Sequence, residues 1–221
     1  MPVLPKAQRV STLLETLAQT YPNAHCELVF HNPLELLMAT ILSAQCTDVR
    51  VNQVTARLFE RCRTPQDYVD ISQEELESIV QPTGFYRSKA KHLKACASAL
   101  LERHNGIVPQ SMDALVQLPG VGRKTANVVL GDAFEAPAGV VVDTHVQRLS
   151  KRLGLSRHST PEKIEPDLMR LVPREQWAKL SHWLIWHGRR RCGAIKPDCA
   201  NCEVRLLCPS AKKDASKIGR K

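Results

Sequence analysis

Residues 111–134 read SMDALVQLPGVGRKTANVVLGDAF, and they contain two helical patterns separated by a Pro-Gly pair. Ser111 is a good N-cap for a helix over MDALVQL, because its hydroxyl can accept a backbone N–H of the first turn. The Pro-Gly pair at 119–120 ends that helix, and a second helix with an apolar face begins at Arg123. The stretch therefore predicts a helix–hairpin–helix.

The glycines of this hairpin predict a contact with phosphate. Gly120 and Gly122 lack a Cβ, so the backbone there can adopt positive φ and approach a surface closely. The backbone N–H groups at the start of the second helix carry partial positive charge and suit a DNA phosphate, as does Arg123. The alternative is an ordinary helix turn that contains proline and glycine.

Lys124 stands in the first turn of the second helix, where the helix dipole is unfavourable to a cation. That field, together with partial burial, would favour the free amine, which is a nucleophile able to form a Schiff base. The alternative is a lysine that only contacts a phosphate.

A carboxylate follows in residues 139–155, which read GVVVDTHVQRLSKRLGL. An apolar segment leads into Asp143, and an amphipathic helix begins after it, so Asp143 is expected to be the N-cap. A capping role alone is the simpler interpretation. It is compatible with catalysis, because a carboxylate fixed by a helix start is also preorganised.

Helical patterns recur along the rest of the chain. An apolar stripe at helical spacing starts at Leu34 and reaches Gln45. The β-branched cluster at 140–142 is too short to found a sheet, so the fold class is predicted to be all-α. The other expected helix starts are Asn32 with Pro33, Asp48, Ser72 with Glu75, Ser88, and Thr160 with Pro161.

Composition points to a soluble protein with a polyanionic partner. The 221 residues are 43% hydrophobic and 24% charged, and the formal net charge is +9. A basic surplus of this kind favours nucleic acid, because phosphates attract lysine and arginine. The first ten residues have no apolar signal-peptide core, and the chain has no long apolar run, so we expect no membrane segment and a reducing cytosol.

Four of the eight cysteines crowd into one segment with the spacing C-x6-C-x2-C-x5-C, namely Cys192, Cys199, Cys202 and Cys208. In a reducing compartment such crowding indicates a metal. Zinc usually binds paired C-x2-C knuckles, whereas a single compact loop suits a 4Fe-4S cluster; both remain open at this point. Nearby basic residues, including Lys196 and Arg205, favour a contact of this loop with DNA.

Taken together, these motifs resemble the endonuclease III family of the helix-hairpin-helix DNA glycosylase superfamily. The resemblance rests on LPGVGRKTANVVL at 118–130, VDTHVQRLSKRLGL at 142–155 and the four-cysteine loop. It extends over nearly the whole chain, including LLMATILSAQCTD at 36–48 and TGFYRSKA at 83–90.

The resemblance implies two helical domains with a cleft between them. One is a helical barrel that contains the hairpin, expected over residues 27–137. The other joins residues 1–26 to 138–210 and carries a 4Fe-4S cluster, which the family favours over zinc. A basic tail is expected over 211–221.

The same resemblance implies residue roles. Lys124 matches the nucleophilic lysine of the family, and Asp143 matches its catalytic aspartate. Gln45 matches a glutamine that occupies the space left by a flipped base, and its position on the apolar helix stripe agrees with that role. Phe85 stands where the family often has a leucine that wedges into the base stack.

The activity implied is removal of oxidised pyrimidines from duplex DNA, followed by β-elimination 3′ to the abasic site through a lysine Schiff base. The enzyme is expected to act as a monomer in the cytoplasm, on nucleoid DNA if the source is bacterial. One rival is the related adenine glycosylase, which lacks the lysine that Lys124 supplies here. A rival of another class is a non-catalytic DNA-binding or redox-sensing protein.

Overall fold

The computed structural model describes residues 5–211, and within this range the chain is helical with no β-strand. The predicted all-α class is confirmed. The α-helices are α1 Lys6–Thr20, α2 Pro33–Leu42, α3 Asp48–Arg61, α4 Pro65–Asp70, α5 Gln73–Val80, α6 Tyr86–His104, α7 Met112–Leu115, α8 Arg123–Val128, α9 Thr144–Arg152, α10 Pro161–Leu171 and α11 Trp177–Arg190.

Several helix starts are set by local capping chemistry, as the sequence predicts. Asn32, Ser72 and Ser111 each accept the backbone N–H of the residue three positions later, at 2.9, 3.1 and 3.3 Å. Asn32 is followed by Pro33 at the first helical position, whose fixed φ suits a helix start. Such caps satisfy donors that the first turn would otherwise leave without a partner.

Two predicted helix starts are wrong. Thr47, rather than Asp48, caps α3, because its hydroxyl accepts the Arg50 N–H while Asp48 already lies in the first turn. Ser88 caps nothing, since α6 begins at Tyr86 after a left-handed residue.

The described chain divides into two compact units, of which one is Cys26–Ala138. Its apolar core is supplied by helices α2 to α8, and α6 carries a fully buried stripe that includes Leu93 and Leu100. Burying each such leucine contributes about 1.5–3 kcal/mol. This unit contains the hairpin, Gln45 and Phe85.

The other unit consists of residues 5–25 and 139–211 of the described chain. Its core is formed by apolar faces of α1, α9, α10 and α11 together with the buried extended segment at 140–142. Helix α9 packs closely on α11, because Gly188 has no side chain and a Cβ there would lie 2.8 Å from Nδ1 of His145. This unit contains Asp143 and the four-cysteine loop.

Among residues 5–211, no helix is both long and apolar enough to cross a membrane. The basic tail expected over 211–221 lies outside the described residues except for Ala211.

Candidate active site and cysteine loop

The hairpin joins α7 to α8 through a turn that is held by buried apolar side chains. Leu118 and Val121 are buried, whereas Gly122 and Arg123 on the outer side of the turn are exposed. Helix α8 then continues into a π-helical turn over Val129–Ala133. The first turn of α8 has no side-chain cap and contains no acidic residue of its own.

The two hairpin glycines serve different purposes, which corrects the expectation that both need positive φ. Gly120 has φ +79°, and a Cβ added there would lie 2.9 Å from Cβ of His92. Gly122 has φ −93° and an extended backbone, and a Cβ there would meet nothing within 4 Å. Gly120 is therefore required by the fold, whereas the space beside Gly122 is open to a partner.

Lys124 occupies the first turn of α8, as predicted, but its side chain is exposed rather than partly buried. Within residues 5–211 it has no hydrogen-bond or ion-pair partner. The ammonium of Lys124 is therefore accessible to a substrate, and the partial burial expected from the sequence is wrong.

Asp143 is the N-cap of α9, as predicted. Its Oδ1 accepts the Val146 backbone N–H at 2.7 Å, which fixes the carboxylate relative to the helix. The next residue but one, His145, is partly buried, and this burial lowers its pKa, although Asp143 acts in the opposite direction. A neutral imidazole at His145 leaves the negative charge of Asp143 uncompensated by that neighbour.

Gln45 and Phe85 share an unusual conformation. Both have positive φ, at 52° and 48°, and both side chains are exposed. A left-handed backbone at a non-glycine residue costs roughly 1–2 kcal/mol, so the surrounding structure must hold it. The predicted place of Gln45 on a helix stripe is wrong, because α2 ends at Leu42 and Gln45 lies in the turn that follows.

Phe85 is an exposed large hydrophobic side chain, with 69% of its surface accessible. It immediately precedes α6 and makes no side-chain cap for that helix. An aromatic ring that is held outward at the cost of backbone strain is poorly explained by folding alone.

The four-cysteine loop is held by α9 and α11. Arg152 of α9 donates one hydrogen bond to Sγ of Cys192 at 3.2 Å and others to the carbonyls of Gly193 and Ala194, at 2.7 and 2.8 Å. The thiol of Cys208 donates to the Arg152 carbonyl at 3.5 Å. Arg152 thus fixes both ends of the loop and brings a positive charge to it.

A buried chain of polar contacts leads to a third cysteine. Nε2 of His187 lies 3.6 Å from Sγ of Cys202, and Nδ1 of His187 lies 2.9 Å from the Tyr21 hydroxyl. His187 is 1% exposed, and this burial lowers its pKa. Burial also raises the pKa of Cys202 to about 11, so a thiolate at this position needs a compensating cation.

The arrangement of ligand-forming side chains bears on which metal the loop could hold. Among residues 5–211, no three His, Cys, Asp or Glu side chains converge as ligands of one metal ion would. A single zinc ion needs four ligands around one point. In a cubane cluster, four cysteines each bind a different iron, so their sulfurs stand further apart.

The basic residues around the loop differ in their partners. Arg191 is paired with Glu203 at 3.0 Å and with Asp198 at 3.4 Å. Lys196 and Arg205 are exposed and have no partner within the described part of the chain. These two charges remain available to a polyanion.

Comparisons with known proteins agree with this geometry. Residues 38–174 match the HhH-GPD superfamily base excision DNA repair protein model. Endonuclease III of Synechocystis sp. (strain ATCC 27184 / PCC 6803 / Kazusa) is 49% identical over 207 residues, which cover 94% of each protein.

This chain belongs to the endonuclease III family.

Solved structures of the family extend the match to DNA-bound states. A non-covalent Endonuclease III–DNA complex has a TM-score of 0.90 and 46% sequence identity, over 96% of this chain and 100% of that one. A trapped covalent intermediate of Endonuclease III with DNA matches with the same score, identity and coverage. The likeness therefore spans the hairpin, the helix that Asp143 caps and the cysteine loop.

Two buried polar residues of this family member were not singled out from the sequence. Lys89 is 4% exposed and His187 is 1% exposed, although both are polar side chains. Each stands on an otherwise apolar helical stripe: Lys89 precedes Leu93 and Leu100 on α6, and His187 follows Leu184 on α11. A polar residue in register with such a stripe is the signal that could have found them.

Proposed function

We propose that this chain is a base-excision repair enzyme with DNA glycosylase and AP lyase activities. The observation that carries the proposal is the exposed, unpartnered Lys124 at the start of the hairpin's second helix. A lysine there is reached by a DNA strand that the hairpin binds. The covalent DNA complex formed by a 46% identical relative supports chemistry of this kind.

The proposed reaction begins with extrusion of the damaged nucleotide from the duplex. The amine of Lys124, after losing a proton, attacks C1′ of the sugar, and the bond to the base breaks with its electron pair leaving on the base. The departing base takes up a proton. The sugar ring then opens and leaves an imine that joins C1′ to the lysine nitrogen.

The imine accounts for strand cleavage. It acidifies the C2′ proton, and loss of that proton expels the 3′ phosphate by β-elimination. Asp143 is proposed to stabilise positive charge that develops on the sugar and to assist the proton transfers. The Val146 N–H that binds its Oδ1 holds the carboxylate in place.

DNA recognition is proposed to combine backbone contacts with insertion into the stack. Gly120, Gly122 and Arg123 of the hairpin bind a phosphate, and Lys196 and Arg205 bind the backbone through the cysteine loop. Phe85 enters the base stack as a wedge, and Gln45 fills the space that the extruded base leaves. The exposed, left-handed conformation that these two share supports the assignment.

We further propose that the four cysteines of the loop hold a 4Fe-4S cluster. The donor set fits: four sulfurs lie in one loop, an N–H group of Arg152 is directed at Cys192, and Nε2 of His187 faces Cys202. Such a cluster would organise the loop that presents Lys196 and Arg205. Its iron ions would supply the positive charge that a thiolate at Cys202 needs.

The proposed substrates are oxidised or ring-saturated pyrimidines and abasic sites in duplex DNA, in the cytoplasm where that DNA is found. The decisive experiment incubates the purified protein with duplexes that carry an abasic site, a ring-saturated thymine, or no lesion. Cleavage of the first two 3′ to the lesion, with the undamaged duplex intact, is expected. Binding without cleavage would instead favour a non-catalytic DNA-binding protein.

A further inference from the structure

The segment that presents Phe85 is held by a buried lysine. The ammonium of Lys89 donates to the carbonyl of Thr83 at 2.7 Å, and Lys89 is only 4% exposed. The Thr83 hydroxyl in turn donates to the Val80 carbonyl at 2.7 Å. These two bonds tie the turn before Phe85 to both of the helices that flank it.

A lysine is an unusual choice for this position. Burial lowers the pKa of Lys89, because a charged group loses its hydration there. Side chains of a helix lean toward its N-terminus, so the ammonium also lies near the unfavourable positive end of the α6 dipole. An apolar residue in register with Leu93 would satisfy the core without these costs.

The Lys89 ammonium fixes the backbone just before the exposed ring of Phe85. Gly84 and Phe85 both have positive φ, at 69° and 48°, and no side chain caps the helix that follows. The Phe85 carbonyl accepts the Lys89 backbone N–H at 3.0 Å, so Lys89 holds the segment from both its main chain and its side chain.

We propose that Lys89 is a positioning residue for base extrusion, and that its buried ammonium holds Phe85 in the outward, left-handed conformation that enters the base stack. The inference rests on the wedge role proposed for Phe85. It predicts that loss of the ammonium impairs removal of a base, which requires extrusion. Cleavage at an abasic site, which has no base to extrude, is largely spared.

Helix α6 offers a matched control. Lys94 stands five residues later on the same helix, and its ammonium also donates to backbone carbonyls, those of Val69 and Ile71. Those carbonyls lie at the end of α4 rather than beside Phe85. Lys94→Met therefore removes a similar bond without touching the proposed wedge.

The test compares Lys89→Met, Lys94→Met, Phe85→Ala and the unaltered enzyme in single-turnover assays. One duplex carries a ring-saturated thymine and the other an abasic site. Lys89→Met and Phe85→Ala are each expected to slow excision about tenfold more than abasic-site cleavage, because small displacements of a positioning group are costly. Lys94→Met is expected to change both rates by the same factor.

The outcomes separate this inference from the role of Phe85. If Phe85→Ala spares abasic-site cleavage but Lys89→Met slows both reactions equally, the positioning role is wrong and the wedge stands. If Phe85→Ala itself slows both equally, the wedge is wrong and the inference is wrong with it. If Lys89→Met does not fold, Lys89→Gln replaces the ammonium by a shorter, uncharged side chain, and an unchanged ratio of the two rates overturns the proposal.

Discussion

Gly120 packs against His92 so closely that a Cβ on the glycine would lie 2.9 Å from Cβ of the histidine. This contact fixes the hairpin turn on α6, the helix that also follows Phe85. The φ of Gly120, +79°, adds a second reason why another residue cannot take its place. Gly122, two residues later, meets neither constraint.

The two glycines give a first prediction as a matched pair. Gly120→Ala should lower the free energy of unfolding by about 1–3 kcal/mol, through both the strained φ and the contact with His92. Gly122→Ala should change it by less than about 1 kcal/mol, because its backbone suits any residue. Urea denaturation of both variants measures the two free energies of unfolding.

The same pair also tests the hairpin as a phosphate contact. Gly122→Ala places a methyl group in the open space beside the turn, so it should weaken binding to duplex DNA while the protein stays folded. Equal DNA affinity of Gly122→Ala and the unaltered protein would mean that the hairpin backbone does not approach the DNA closely.

Sequence reasoning succeeds here where interactions are local. The caps at Asn32, Ser111 and Asp143 follow from residue type and from the helical pattern that begins after each of them. The same logic misplaces the start of α6, because the left-handed conformation of Phe85 is not a property of phenylalanine. It is imposed by neighbours that the local sequence does not reveal.

Contacts between distant parts of the chain are harder to foresee. The Tyr21 hydroxyl meets His187 across 166 positions, and Arg152 meets Cys192 across 40. No spacing rule connects such residues, because the packing of whole helices brings them together. The exposure of Lys124 cannot be foreseen for a similar reason, since it depends on which distant parts of the chain pack over the residue.

A second prediction concerns the cysteine loop and salt. If Lys196 and Arg205 bind phosphates, Lys196→Ala and Arg205→Ala should each reduce the dependence of log K on log salt by up to about one unit. Lys163→Ala, which removes an equally exposed lysine from α10, is the control and should leave the slope unchanged. Affinity measured from low to moderate salt gives the three slopes, and equal slopes for all would refute a role of the loop in binding.

The third prediction concerns the metal. The protein purified without oxygen should contain about four irons and absorb visible light. His187→Leu removes the ring nitrogen that faces Cys202 and should release iron faster in air. His187→Gln keeps a polar side chain there and should release iron more slowly than the leucine variant. One zinc and no iron in the unaltered protein would exclude the cluster. Equal iron release from both variants would exclude only the role of His187.

The fourth prediction separates the two roles of Asp143. Asparagine also caps helices well, so Asp143→Asn should retain the fold and a similar unfolding midpoint. It should nevertheless slow base removal by about two orders of magnitude or more, because negative charge is lost where positive charge develops. Single-turnover excision and thermal unfolding, measured on the same sample, show whether Asp143 has a catalytic role as well as a capping role. Full activity of Asp143→Asn would leave Asp143 as a cap alone.

Borohydride trapping of the enzyme on a duplex that carries a lesion shows whether Lys124 is the nucleophile. Borohydride reduces an imine to a stable amine, so the unaltered protein should become covalently joined to the DNA. Lys124→Gln should abolish the trapped complex while it still binds the duplex, because the hairpin backbone and the cysteine loop remain. Efficient trapping by Lys124→Gln would show that another amine is the nucleophile and would contradict the assignment of Lys124.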